Sequence, residues 1–125
     1  MMRTPLGRVR GLGSAKSGTD HFWRQRLTGL AMVPLTVFMV LLIVGVQGDS
    51  YEATRSVLES PFVAVPLLAV VLVSCWHMKL GMQVIIEDYV HGEGTKLAAL
   101  IASTFFCALV ALAAAWAVLK ISFGG

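Results

Sequence analysis

The stretch that decides the fold is S-C-W-H-M-K-L-G-M-Q-V-I-I-E-D-Y-V-H, residues 74–91. It begins inside a long apolar run and leaves that run with a carboxylate and a phenol, Asp88 and Tyr89. Asp88 follows His77 by eleven positions, and on an α-helix that spacing returns to within roughly 20° of the same face. Gly81 lies near the same line. One helical stripe therefore carries an imidazole, a position without a side chain and an acidic exit.

The composition around this stretch indicates an integral membrane protein. Of the 125 residues, 57% are apolar and 14% are charged, whereas about 25% of the residues in a soluble domain are charged. So short a chain could not bury that much apolar surface in a soluble core. The net charge of +3 does not indicate nucleic-acid binding, because the basic residues concentrate at one end beside the first apolar run.

Three apolar runs predict a single all-α membrane domain with three transmembrane helices, at about 27–46, 62–86 and 97–119. Twenty residues of helix cover about 30 Å, which is the thickness of the hydrocarbon core. Pro34 predicts a kink in the first span, and residues 51–58 of the polar connection predict a short interfacial helix. Cys75 and Cys107 lie inside apolar runs, so we expect both to be reduced packing residues.

Residues 1–26 form a basic arm ahead of the first span. The run G-L-G-S-A-K-S-G-T, residues 11–19, has too much Gly and Ser for a stable helix, and we expect it to be extended. Its Gly-x-Gly lacks the βαβ context of a nucleotide site. Thr19 or Asp20 is expected to cap a helix that starts at His21.

The distribution of Lys and Arg predicts the orientation. The arm and the 87–96 connection hold seven basic residues, and the 47–61 loop and the C-terminus hold two. The N-terminus is therefore expected in the cytoplasm and the C-terminus outside, so Asp88 and Tyr89 emerge on the cytoplasmic side. The arm is short, Gly-rich and weakly amphipathic for a transit peptide. We therefore favour a bacterial inner (plasma) membrane over the mitochondrial inner membrane.

His77 is the first candidate functional residue, because polar side chains near mid-membrane are costly and are usually functional. One interpretation is a neutral imidazole hydrogen-bonded to a neighbouring helix. The other is an axial haem ligand, with Gly81 leaving room for a flat macrocycle. His21 and His91 lie at the membrane edge, so the second ligand would come from another chain, and a haem implies an oligomer.

Asp88 and Tyr89 are the second candidate. They are either ordinary interfacial residues or part of a quinone pocket, in which a phenol donates to a carbonyl and a carboxylate helps to relay protons. Arg26 is expected at the same depth, where it would pair with Asp88 or with a haem propionate. Lys79 lies about 200° from His77 on a helix and is expected to face away and snorkel to the inner surface.

Gln83 is a candidate for a hydrogen bond across helices. The sequence has no metal-cluster spacing, no Ser/His/Asp arrangement and no phosphate loop. The chain alone therefore carries no catalytic residues for a complete reaction.

The H-x-x-x-G motif with its Asp-Tyr pair, together with G-S-A…G-T-x-H-F-W-x-Q-R-L-T in the arm, resembles a known family over about residues 11–96. That family is the hydrophobic membrane anchor subunit of bacterial succinate dehydrogenase, respiratory complex II. The resemblance implies a second anchor subunit with three spans, an iron–sulfur subunit and a flavoprotein subunit, all assembled in membrane lipid. It implies electron transfer from succinate to ubiquinone, linking the tricarboxylic acid cycle to the respiratory chain.

By the same resemblance, His77 matches the ligand that this anchor family gives to the iron of a haem b shared with the second anchor subunit. Tyr89 matches the quinone-site tyrosine, with Asp88 beside it, and Arg26 matches the basic residue before the Thr of span one. Two alternatives stay open. One is a fumarate reductase anchor that uses menaquinone, and the other is a haem-free structural or proton-relay subunit.

Overall fold

The computed structural model of the chain describes residues 4–11 and 18–124. These ranges form five helices and no strand: α1 (Pro5–Val9), α2 (Gly18–Val46), α3 (Tyr51–Glu59), α4 (Pro61–Tyr89) and α5 (Glu93–Ser122). Helices α2, α4 and α5 are long and apolar enough to cross a membrane. The expected all-α fold with three membrane-spanning helices is confirmed.

Helix α2 begins earlier than the sequence predicted. It starts at Gly18, so Thr19 and Asp20 lie inside its first turn and do not cap a helix at His21; that expectation was wrong. The Asp20 carboxylate pairs with the Arg24 guanidinium one turn later, at 2.9 Å, and an acid in the first turn also suits the helix dipole. Both effects extend the helix toward the arm. The expected extended run lies mostly at 12–17, outside the described residues.

Helix α2 continues through Pro34 up to Val46. A proline inside a helix removes one backbone donor, and membrane helices tolerate this where neighbouring groups satisfy the freed carbonyl. The break in hydrogen bonding therefore does not end the helix, and α2 keeps the length needed to span a bilayer.

Helix α3 is the short helix expected in the polar connection, and its presence is confirmed. The Ser50 hydroxyl caps its first turn by accepting from the backbone N–H of Ala53 at 3.2 Å. The Arg55 guanidinium donates to the Glu59 carboxylate at 3.0 Å, and this bond, with a smaller contribution from Tyr51, raises the pKa of Arg55. Helix α3 contacts all three long helices, so it lies across the end of the domain opposite His91.

The three long helices form a layer with α4 in the middle. Helix α4 packs against both α2 and α5, and over the described residues the backbones of α2 and α5 do not approach each other closely. Few of the described residues are buried: Ala64, Cys75, Leu80, Ile86, Cys107 and the polar Thr28. Both cysteines are free and buried in the α4–α5 seam, as expected for packing residues. Most large apolar side chains face outward, toward lipid or a partner.

Candidate functional site

The site is built on the seam between α2 and α4. Thr28 on α2 contacts His77 on α4, and Gln25, three residues earlier on α2, lies against Gly81, four residues later on α4. The two helices therefore run antiparallel in a register that brings Thr28 level with His77. Gly29 and Gly81 keep the facing surfaces small, which is how membrane helices approach closely.

His77 makes a hydrogen bond to helix α2 through one ring nitrogen. Its Nδ1 lies 2.9 Å from the Thr28 hydroxyl. Thr28 is 6% exposed, so this hydrogen bond joins the two helices away from bulk solvent. No hydrogen bond within the described ranges engages the other ring nitrogen, Nε2. The sequence interpretation of a histidine bonded to a neighbouring helix is thus realised at Nδ1, and Nε2 is left available as a ligand.

A groove of about 590 Å³ opens beside His77 on the α2 side. Its lining combines small and apolar residues with one amide and one guanidinium: Gln25, Arg26, Gly29, Leu30, Val33 and His77. A single imidazole, apolar walls and a cation at the rim suit a flat apolar ligand that carries negative groups at its edge. The residues present therefore fit a haem held by His77, with Arg26 available to a propionate.

The two glycines of the seam lie against different residues. A Cβ built on Gly29 would lie 3.5 Å from Cε1 of His77, so the bare backbone at Gly29 borders the imidazole edge directly. A Cβ on Gly81 would lie 3.8 Å from the amide nitrogen of Gln25. Within this chain the surface of Gly81 is therefore next to Gln25, and the side-chain-free patch nearest His77 is at Gly29.

Two buried polar atoms lie one turn apart on α2. Nε2 of His21 and Oε1 of Gln25 are buried without a hydrogen-bond partner in the described part of the chain. Such atoms are rare in proteins and are usually satisfied by a water or a ligand group. Because Gln25 also lines the groove beside His77, the polar lining of α2 continues from the groove toward the N-terminal end of the helix.

Arg26 lies beside His77 and not beside Asp88, so the expectation of equal depth for Arg26 and Asp88 was wrong. Arg26 lines the groove with His77, and its guanidinium lies 5.1 Å from the centre of the Phe22 ring. Asp88 lies about 16 Å further along α4 than His77. The sequence misplaced Arg26 because the start of the first apolar run and the end of the second were taken as level, whereas the structure brings Thr28 level with His77.

Asp88 and Tyr89 lie at the C-terminal end of α4. Tyr89 is 77% exposed, and Asp88 is exposed as well. Neither makes a side-chain hydrogen bond or ion pair in the part of the chain that the structure describes. Both groups are thus available to a ligand or partner, and a pocket around them would need walls from other chains.

Lys79 and Gln83 are two further polar residues of α4 for which the sequence led to an expectation. Lys79 lines a groove of about 290 Å³ between α4 and α5, together with Thr104 and both cysteines; it faces away from the His77 seam, as the sequence predicted. Gln83 does not bond across helices within the described part of the chain. Its amide donates to the carboxylate of Glu87 in its own helix at 3.0 Å, because the i,i+4 spacing brings the two together.

Thr28 and Gly29 are the residues that sequence reasoning missed. The available signal was a Thr-Gly pair at the start of the first apolar run, and small residues there favour close helix packing. In the described ranges no group of three or more His, Cys, Asp or Glu could hold a metal ion. The candidate site is therefore one imidazole, its hydroxyl partner and a groove.

Comparison with known proteins identifies a family and several similar proteins. Residues 1–111 match the family model described as "Succinate dehydrogenase/Fumarate reductase transmembrane subunit". The succinate dehydrogenase hydrophobic membrane anchor subunit of Paracoccus denitrificans is 33% identical over 97% of this chain and 93% of its own length. The subunit of the same name from Rickettsia bellii is 31% identical over 89% of each chain. No solved structure shows significant similarity to the chain.

Proposed function

Because the chain belongs to the family of succinate dehydrogenase membrane anchor subunits, we propose that it holds a haem b and helps to form a ubiquinone-reduction site. His77 gives one axial ligand through Nε2. The second ligand comes from a partner anchor subunit with three spans. The observation that carries this proposal is the Thr28–His77 hydrogen bond of 2.9 Å, because it engages only Nδ1 and leaves Nε2 for iron.

Within this proposal the chain's own residues do three things at the haem. His77 ligates, Gly29 admits a flat ligand against the imidazole edge, and Arg26 offers a guanidinium to a propionate. A bound haem b would supply a one-electron carrier at this level of the membrane. The apolar walls at Leu30 and Val33 would exclude water from it.

We place the quinone site at the end of α4. Reduction of ubiquinone to ubiquinol takes up two electrons and two protons. The Tyr89 phenol donates a hydrogen bond to a quinone carbonyl, and the Asp88 carboxylate helps to relay protons from water. The exposure of both side chains supports this, since a pocket shared with an iron–sulfur subunit and a second anchor subunit needs them free in the isolated chain.

The complex proposed around this chain couples succinate oxidation in a flavoprotein to quinone reduction in a bacterial plasma membrane. The N-terminus lies in the cytoplasm and the C-terminus outside. Succinate oxidation is favoured over fumarate reduction with menaquinone because the Paracoccus and Rickettsia relatives carry the name of succinate dehydrogenase. A haem-free structural or proton-relay subunit is the opposing hypothesis.

A reduced-minus-oxidised optical spectrum of the complex, purified through a tag on this chain, separates the two hypotheses. The wild-type complex is expected to show b-type absorption, and His77→Ala is expected to lose it. His91→Ala is the matched control, because His91 is an exposed histidine just beyond the same helix and should retain the spectrum. Wild-type complex without b-type absorption would contradict the haem proposal and leave the scaffold hypothesis.

A further inference from the structure

The Thr28 hydroxyl has one proton and three polar neighbours. Oγ1 lies 2.8 Å from the carbonyl oxygen of Arg24 and 3.1 Å from that of Gln25, and 2.9 Å from Nδ1 of His77. A backbone carbonyl only accepts hydrogen bonds, and the hydroxyl donates its proton to these two carbonyls. A hydroxyl that donates its proton to the backbone can only accept from the imidazole.

The two bonds to the carbonyls favour the Nδ1–H tautomer of His77. In that tautomer Nδ1 carries the ring proton and donates it to Thr28, so Nε2 keeps its lone pair. The hydroxyl is polarised by its own bond to the carbonyls, which makes it a better acceptor. A continuous chain of hydrogen bonds therefore runs from the imidazole through Thr28 to the backbone of α2.

We propose that Thr28 is a positioning residue that holds His77 as the Nδ1–H tautomer, with its ring fixed for ligation through Nε2. This inference rests on the proposed haem function and goes beyond it, because it assigns the control of ligand basicity and ring orientation to one hydroxyl on α2. A histidine ligand that donates its second nitrogen to an acceptor becomes more basic toward the metal, and loss of such an acceptor typically weakens metal binding by about 10- to 100-fold.

Thr28→Val in the assembled complex is the test, because valine keeps the branched shape and removes the hydroxyl. The haem midpoint potential is expected to rise, since a less basic imidazole stabilises the ferric state less. The low-spin electron paramagnetic resonance signal is expected to shift as the ring loses its anchor. Haem retention on dilution in detergent is expected to fall by about tenfold or more.

Two further variants complete the design. Thr28→Ser keeps the hydroxyl and is expected to restore the wild-type potential and resonance signal, and it provides a folded variant if the valine variant does not assemble. Thr104→Val is the matched control: Thr104 donates to the carbonyl of Leu100 at 2.8 Å within α5 and lines the groove between α4 and α5 that faces away from the His77 seam. It should change neither readout.

The outcomes separate this inference from the function on which it rests. Loss of haem in His77→Ala, with an unchanged potential and resonance signal in Thr28→Val, overturns the role of Thr28 alone. A Thr28→Ser variant that assembles with haem and shows neither wild-type value also overturns it. Full haem content in His77→Ala, or no haem in the wild-type complex, overturns the proposed function and the inference with it.

Discussion

At the scale of single residues, the absence of a side chain at Gly29 lets the backbone of α2 lie against the His77 ring. The backbone of Gly29 borders the edge of the His77 ring, and a Cβ there would reach 3.5 Å from Cε1. That distance is an ordinary contact, so a methyl group fits but takes up space beside the imidazole. A branched side chain would force the ring or the helix to move.

We therefore expect graded effects of side-chain size at this position. Gly29→Ala should lower the haem-to-protein ratio of the complex by a few-fold at most, whereas Gly29→Val should lose most of the haem, because overpacking costs about 1–3 kcal/mol. Absorbance of the purified complex measures both. Gly45→Val is the control on the same helix, since nothing lies within 4 Å of a Cβ there; equal haem loss in both valine variants would argue against a specific role for Gly29.

The residues of the seam also show which functional positions could be predicted from the sequence. His77 was identified because an imidazole deep in an apolar run is costly, and its stripe with Gly81 follows from helical periodicity. Thr28 and Gly29 were not, because a partner 49 positions away depends on the register between two helices. Helical periodicity predicts which residues share one face of a helix. It does not predict which residues of a neighbouring helix pack against that face.

At the scale of elements, α4 keeps two functions apart along its length. His77 and Tyr89 are separated by about 18 Å of helix, and only His77 lies against α2. A change at Tyr89 should therefore act on quinone chemistry without disturbing the haem.

Tyr89→Phe is expected to lower quinone reductase activity by several-fold to about tenfold, the effect of losing one hydrogen bond to the substrate. Haem absorption and electron transfer to an artificial soluble acceptor should survive. The control is Tyr51→Phe, which changes the other tyrosine, at the start of α3. Quinone reduction at the wild-type rate in Tyr89→Phe would count against the pocket.

The three long helices contain the predicted apolar runs and extend beyond most of their ends. A short helix was expected in the polar connection at residues 51–58, and α3 is present there. The start of α2 was missed because the Asp20–Arg24 pair and the acidic first turn extend the helix beyond its apolar part. The same extension, with a shifted register, explains why Arg26 lies near His77 and not near Asp88.

At the scale of the whole molecule, the orientation proposed from the basic residues can be tested with the chain's own chemistry. The two native cysteines are buried, which gives a low background for thiol labelling. Ser56 is exposed on α3, at the end of the domain expected to face outward.

Ser56→Cys is expected to react with a membrane-impermeant maleimide in intact cells, and the native chain is not. Inside-out vesicles should protect the introduced thiol until they are opened with detergent. The reverse pattern, protection in cells and labelling in inside-out vesicles, would invert the orientation and move Asp88 and Tyr89 to the opposite side of the membrane.

The thin interior of the three-helix layer has a consequence for the life of the chain in the cell. Among the described residues, five apolar residues and one threonine are buried, and the backbones of α2 and α5 do not approach each other closely. Membrane helices gain little from the hydrophobic effect when they associate. Few packing contacts therefore stabilise the three-helix layer until the chain binds its partner subunits. In newly made copies that exceed the number of partner subunits, the helices would separate easily, and membrane proteases would degrade these copies. Degradation of unassembled copies would then match the abundance of this subunit to that of its complex.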